Sequence, residues 1–149
     1  MTTNKIKCII FDVGGVYLEG KLTNFVNSSY KILGIDKTFK SEEILFDSDY
    51  NAGKISAEEC FLKVFKVPIN KEQMEKIKEL WTHTWILKPE MEELIQSLKV
   101  NYQLAILSNS DLLNSGEYRK RGWYDSFQPI ILSHEVGMLK PEEEIYRLC

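Results

Sequence analysis

The chain has 149 residues, 44% hydrophobic and 28% charged, with 19 basic against 22 acidic residues and a formal net charge of -3. That length suits one domain with a real hydrophobic core, and the charge balance excludes a general nucleic-acid binder with its basic stripe. No stretch approaches the roughly 20 apolar residues of a membrane span, and the apolar run Cys8–Phe11 falls short of a signal-peptide core of about 7–15 residues. Three scattered cysteines (Cys8, Cys60, Cys149) lack metal-ligand spacing, so a reduced, cytoplasmic protein is the expectation.

In chain order, Lys5 to Phe11 reads as a strand without polar alternation, as suits a parallel-sheet strand covered on both faces. Asp12 follows at its carboxyl end, ahead of Gly14 and Gly15. Between Tyr17 and Trp85 only helix signals occur and no strand is expected. Leu22 to Leu33 is amphipathic and ends at Gly34, Ser41 opens another helix, and Ser56 with Glu59 and Asn70 with Gln73 have capping-box spacing. Pro89 begins a helix at a position where its missing N–H costs nothing. Tyr102 to Leu107 is a second buried strand, ending in Ser108 and Asn109. A shorter helix lies near Asp111 to Arg121 and stops at Gly122. Pro129 to Leu132 is a third, weaker strand, followed by a loop reaching Lys140 and Pro141. The chain thus reads as an α/β protein with a Rossmann-like parallel sheet, residues 1–16 and 87–149, interrupted by a helical insertion, residues 17–86. An insertion straight after the first strand is placed to act as a lid over that strand's carboxyl end.

Three polar positions sit at three successive strand ends: Asp12, Ser108 with Asn109, and Lys140. Parallel strands present those ends on one edge, where open α/β sheets bind ligands. A carboxylate can act as nucleophile and form an aspartyl phosphate. A hydroxyl and backbone N–H groups can hold non-bridging oxygens, and a lysine supplies a point charge for the transferring group. Phosphoryl transfer asks mainly for such positioning and electrostatics. Taken singly, each residue has a plainer reading: Asp12 as a turn residue, Ser108 and Asn109 as helix caps, Lys140 as a solvated loop lysine.

FDVGGV at Phe11–Val16, LSNS at Leu107–Ser110 and GMLKPE at Gly137–Glu142 resemble, in order and spacing, the first three motifs of the haloacid-dehalogenase superfamily. The likeness is closest to its sugar-phosphate phosphatases and epoxide-hydrolase-like phosphatase domains. It covers essentially the whole chain, with the helical insertion where that family's mobile cap belongs. The resemblance implies Asp12 as nucleophile and magnesium ligand, the backbone carbonyl of Gly14 as a second magnesium ligand, and Ser108, Asn109 and Lys140 at the phosphate.

Two departures from the family pattern stand out. Most phosphatases of the family carry a second aspartate two residues after the nucleophile, where this chain has Gly14; losing a positioned general acid typically costs about 10²–10⁴ in rate. The family's fourth motif, an acidic pair after a further strand, is not reached before Cys149. Magnesium usually takes one or two carboxylates plus waters and phosphate oxygens, so weakened magnesium binding is expected. The missing strand would also leave the apolar edge at Lys5–Phe11 unpaired and inclined to self-association. A parent chain some 50 residues longer (roughly, from usual domain sizes) is the expectation.

Other polar constellations carry less. Asp47, Asp49, Asn51 and Glu58 imitate a calcium loop, but Ala52 stands where its glycine belongs and Gly53 is one late. His83 and His134 are isolated. Trp81 and Trp85 are expected on one face of a helix, packing core before substrate. Trp123 and Tyr124 are expected to pack under the loop after Gly122. The leading functional reading is a magnesium-dependent phosphatase of small phosphorylated metabolites such as sugar phosphates, with no nucleic-acid or membrane partner. A non-catalytic fragment or binding module is the alternative. Dehalogenation of a haloacid ranks below both, because Gly14 and Val16 replace the aromatic and hydroxyl residues usual in that branch.

Overall fold

The apolar run after Lys7 forms β1 (Cys8–Phe11), which pairs in parallel with β4 (Gln103–Ser108), and β4 pairs in parallel with β5 (Ile130–Leu132). The computed structural model describes residues 6–38 and 47–149, and in it these three expected strands make a sheet of order β1-β4-β5. The register sets Phe11 beside Ile106 and Ser108 beside Leu132, so the loops after all three strands open on one rim.

One face of the sheet packs against α5 (Pro89–Leu98) and α6 (Leu112–Lys120), burying Phe11, Ile95, Leu104, Ile106, Tyr118 and Leu132. On the other, Leu107, Ile131 and Ile145 cluster with Val136 and Met138, from the short helices α7 (Ser133–Val136) and α8 (Glu143–Tyr146) and the turn between them. β4 is buried at every position after Gln103, as a strand covered on both sides should be. β1 departs from that expectation. Its Ile10 is 48% exposed, because no described element covers the second face at that point.

The helical segment runs as α1 (Leu22–Leu33), α2 (Ser48–Asn51), α3 (Ala57–Phe65) and α4 (Lys71–Thr82). α1 ends at Gly34 in the left-handed conformation (φ 69°), where a Cβ would be penalised. Both capping boxes form, at Ser56 with Glu59 and at Asn70 with Gln73. The apolar faces enclose Phe25, Tyr50, Phe61, Phe65, Ile77 and Trp81, with Phe25 and Trp81 rings 4.9 Å apart. The helix expected from Ser41 lies outside the described residues.

Two corrections follow. β2 (Leu18–Gly20) pairs antiparallel with β3 (Trp85–Leu87), forming a ribbon where no strand was expected after Tyr17. Three-residue strands are too short to register a period of two. Trp85 belongs to this ribbon, so Trp81 and Trp85 do not share a helix: α4 stops at Thr82, with His83 as its cap. The apparent calcium loop is neutralised by lysines. Asp47 caps α2 and pairs with Lys63 at 2.6 Å, and Glu58 pairs with Lys78. No described helix is long and apolar enough to cross a membrane.

Candidate active site

The turn after β1 presents Asp12. Backbone N–H groups of Tyr17 and Leu18 both donate to the Val13 carbonyl at 2.9 Å, and Gly15, at φ 77°, donates to the Leu18 carbonyl at 2.8 Å. The positive φ is the reason for glycine there. Lys88 Nζ donates to the Gly15 carbonyl at 2.7 Å and fastens the turn. The Asp12 carboxylate is held from two sides: Oδ1 accepts from Val13 N at 2.7 Å, and Oδ2 lies 2.8 Å from Lys140 Nζ.

Lys140 is delivered by Asn109. The Asn109 Nδ2 donates to the Lys140 carbonyl at 3.1 Å, while Lys140 N donates to Asn109 Oδ1 at 2.8 Å. This two-way amide bridge joins the loop after β4 to the loop after α7. It engages the Asn109 acceptor and one of its two donors, leaving a single N–H for any ligand. Ser108 is buried at the very end of β4.

The residue that caps α6 is Asp111, not Ser108 or Asn109. Asp111 is buried, and its carboxylate accepts from Asn114 N (3.0 Å), Asn114 Nδ2 (2.9 Å), Tyr50 Oη (2.9 Å) and Trp81 Nε1 (3.2 Å). Two of these donors come from the helical segment and two from the sheet domain's own helix. The four bonds satisfy the buried charge without a cation. One of them caps the α6 backbone at Asn114 N.

Asp12, Gly14, Ser108, Asn109 and Lys140 all line one cavity of about 660 Å³. The helical segment contributes Ser48, Asn51 and Trp81, and the ribbon contributes Glu19, Gly20 and Trp85. Ser133 Oγ reaches the Asn51 carbonyl and ties α7 to this side of the cavity. Burial pushes the Tyr50 and Tyr118 hydroxyls well above their ordinary range, so both are neutral phenols. Burial pushes the Cys60 thiol up to about 12, which leaves it unreactive. His134, beside Ser110 and Ser115, is held below the usual imidazole value by burial, and it does not line the cavity.

The side chains at the rim do not by themselves make a magnesium site. The described residues contain no cluster of three or more histidine, cysteine, aspartate or glutamate side chains placed to hold a metal. Asp12 brings one carboxylate, already paired with an ammonium group, and the Asp111 carboxylate is taken up by its four donors. The Gly14 carbonyl is at hand, but it adds no charge.

A parallel sheet with a carboxylate-bearing turn, a lysine and a buried serine at one rim has the ligand-site layout of open α/β proteins. The chain belongs to the haloacid dehalogenase-like hydrolases, whose family model matches residues 6–149. Solved structures share the fold. A HAD family enzyme from Bacteroides thetaiotaomicron, in complex with magnesium and inorganic phosphate, superposes with a TM-score of 0.74 at 22% identity, over 97% of this chain and 77% of that one. A predicted HAD-like hydrolase from Porphyromonas gingivalis gives 0.70 at 21% identity, over 96% and 74%. A HAD phosphatase from Thermococcus onnurineus gives 0.60 at 22% identity, over 96% and 69%. No curated protein sequence matches the chain.

Sequence reasoning missed Asp111, Asn114 and Lys88 as cavity residues and ranked the core ahead of the pocket for Trp81 and Trp85, which both line it. Asp111 had a usable signal, an aspartate directly before a helix with an asparagine three residues on. Lys88 had none, because its partner is a backbone carbonyl far away in sequence.

Proposed function

We propose that the chain acts on phosphate monoesters of small metabolites, with Asp12 as nucleophile. One observation carries this reading: the Asp12 carboxylate and the Lys140 ammonium meet at 2.8 Å in the cavity where Ser108 ends its strand. In the proposed cycle a carboxylate oxygen of Asp12 attacks phosphorus and the ester P–O bond breaks. The alkoxide leaves with that electron pair and is protonated by solvent water. Water then hydrolyses the aspartyl phosphate, releasing inorganic phosphate and restoring the carboxylate. Lys140 balances negative charge on the transferring group, and Ser108 with the neighbouring backbone N–H groups holds its oxygens. The helical segment is proposed as the cap, residues 17–86, closing through Trp81 and Asn51 to keep water from the first step.

The magnesium and phosphate reported with the Bacteroides enzyme support the substrate class. No step is routed through a metal, because among the described residues no three histidine, cysteine, aspartate or glutamate side chains are grouped to hold one. The test is release of phosphate from a panel of sugar phosphates, with and without magnesium. Wild type is expected to release it and Asp12→Asn to lose it; equal turnover by both would refute the nucleophile.

A second reading, a non-catalytic binding module, is favoured by the absence, among the described residues, of a side-chain cluster that could hold a metal. Binding of phosphate esters without turnover under every metal condition would establish it. Dehalogenation remains the weakest alternative, and turnover of chloroacetate insensitive to chelator would support it.

A further inference from the structure

Four donors converge on one buried carboxylate where the helical segment meets the sheet domain. Asp111 Oδ1 accepts from Asn114 N and Tyr50 Oη, and Oδ2 accepts from Asn114 Nδ2 and Trp81 Nε1. The two asparagine bonds lie within α6, whereas Tyr50 comes from α2 and Trp81 from α4. Capping α6 does not by itself explain an aspartate, since asparagine and serine cap a helix as well. Accepting on both oxygens does. An amide or a hydroxyl offers one acceptor oxygen, and only an ionised carboxylate takes all four donors.

The helical segment has a core of its own, built on Phe25, Phe61, Phe65 and Ile77, and the chain enters and leaves it through the short strands β2 and β3. Its placement on the sheet domain therefore depends on what it touches there. The Arg121 contact with the Thr82 carbonyl is long, at 3.5 Å, and the Ser133 hydroxyl has one proton to share between the carbonyls of Asn51 and Ser110. Asp111 instead gathers two donors of the segment onto one charge, and charge-assisted bonds are roughly twice as strong as neutral ones. Trp81 also lines the cavity with Asp12, so whatever holds its indole sets that wall.

We infer that Asp111 is a positioning residue that seats the helical segment on α6 and thereby fixes the Trp81 wall of the cavity relative to Asp12. The role is independent of what the cavity binds, and so it stands apart from the phosphate-ester reading.

The test follows hydrogen exchange of the Trp81 indole N–H by nuclear magnetic resonance in the full chain, with the signal assigned through Trp81→Phe. In wild type this buried, bonded N–H is expected to exchange slowly. Asp111→Asn keeps an oxygen for the α6 cap but turns a donor toward Trp81 Nε1, and Asp111→Ser keeps the cap alone. Exchange is expected to quicken by roughly tenfold or more in both, as suits the loss of a bond to a charged group. Tyr50→Phe is the decisive variant, because it leaves Asp111, the α6 cap and the Trp81 bond in place and removes only the other bond to the segment. It is expected to speed the same exchange by about threefold, and it carries the test alone should the Asp111 variants fail to fold. Unchanged exchange in folded Asp111 variants overturns the assignment. So does an effect there with none in Tyr50→Phe, which would mark a local bond to Trp81 without any seating of the segment.

Discussion

The Trp85 indole lies directly over Gly20, its partner across the β2–β3 ribbon: a Cβ built on Gly20 would fall 2.7 Å from Cζ3 and 2.9 Å from Cε3 and Cη2. Glycine is thus required here by close approach. The ring covers the bare backbone and turns toward the Asp12 loop, where its edge also faces Gly14. Gly20→Ala would force the ring aside. We expect a loss of about 1–3 kcal/mol from overpacking, larger than the usual gain from replacing a strand glycine. Urea denaturation checks the loss, and intrinsic fluorescence checks the ring's displacement. The double variant Gly20→Ala/Trp85→Phe should recover part of the stability; strict additivity of the two changes would show that no clash existed.

Lys140 differs, because its partner is the proposed nucleophile. The pair is partly exposed, so its direct contribution to stability is small, within about 1 kcal/mol. Its contribution to phosphoryl transfer should be far larger, since it acts where charge is moved. Lys140→Met is expected to lower kcat by about 10²–10³ with little change in the denaturation midpoint. Lys140→Arg, which keeps charge but not shape, should fall between. A large stability loss in Lys140→Met would mean that the residue holds the loop and does not serve the reaction.

Much of this arrangement could be read in advance because it depends on local order. The apolar run ahead of Asp12, the one ahead of Ser108 and the shorter one ahead of the Lys140 loop are contiguous segments, and parallel pairing alone brings their ends together. The capping boxes at Ser56 and Asn70 are equally local. What stayed hidden depends on distant partners. Asp111 binds Tyr50 and Trp81, which lie in separate helices, and Asn109 is engaged by the backbone of Lys140. The β2–β3 ribbon consists of three-residue strands joined only through the long helical segment, and it puts Trp85 beside Gly14 where helical spacing would have put it beside Trp81.

His134 should give stability a pH dependence. Burial holds its pKa below the ordinary 6.5, with Glu135 and Asp111 opposing the shift and Arg119 adding to it. The unfolded chain therefore binds the proton more readily than the folded one. The stabilisation is complete above the unfolded pKa and is lost as pH falls through 6.5 toward the folded value. The slope from this one group cannot exceed about 1.4 kcal/mol per pH unit. Urea midpoints measured between about pH 8 and pH 5 should fall with pH, and His134→Gln should flatten that part of the curve. A midpoint that rises on acidification across this window would contradict the burial of a neutral imidazole.

Gly14 offers a change in the direction of gained function. In the proposed cycle the leaving alcohol needs a proton, and Gly14 has no side chain to provide one. A Cβ there would lie 3.4 Å from Trp85 Cη2 and 3.5 Å from Cζ3, at the edge of ordinary contact, and the residue is exposed with no positive φ. Gly14→Asp should therefore fold, with the new carboxyl in the cavity beside Asp12. General-acid assistance is worth about 10²–10⁴ and matters most when the leaving alcohol is a poor one. The variant is expected to raise turnover of alkyl phosphates much more than that of nitrophenyl phosphate, whose leaving group departs unaided. The same carboxylate would bring a second anion to the rim, so magnesium titrated calorimetrically should bind it more tightly than wild type. An equal rate change for both ester types would show that the proton reaches the leaving group by another path. In that case position 14 would be a glycine for the sake of the Trp85 ring.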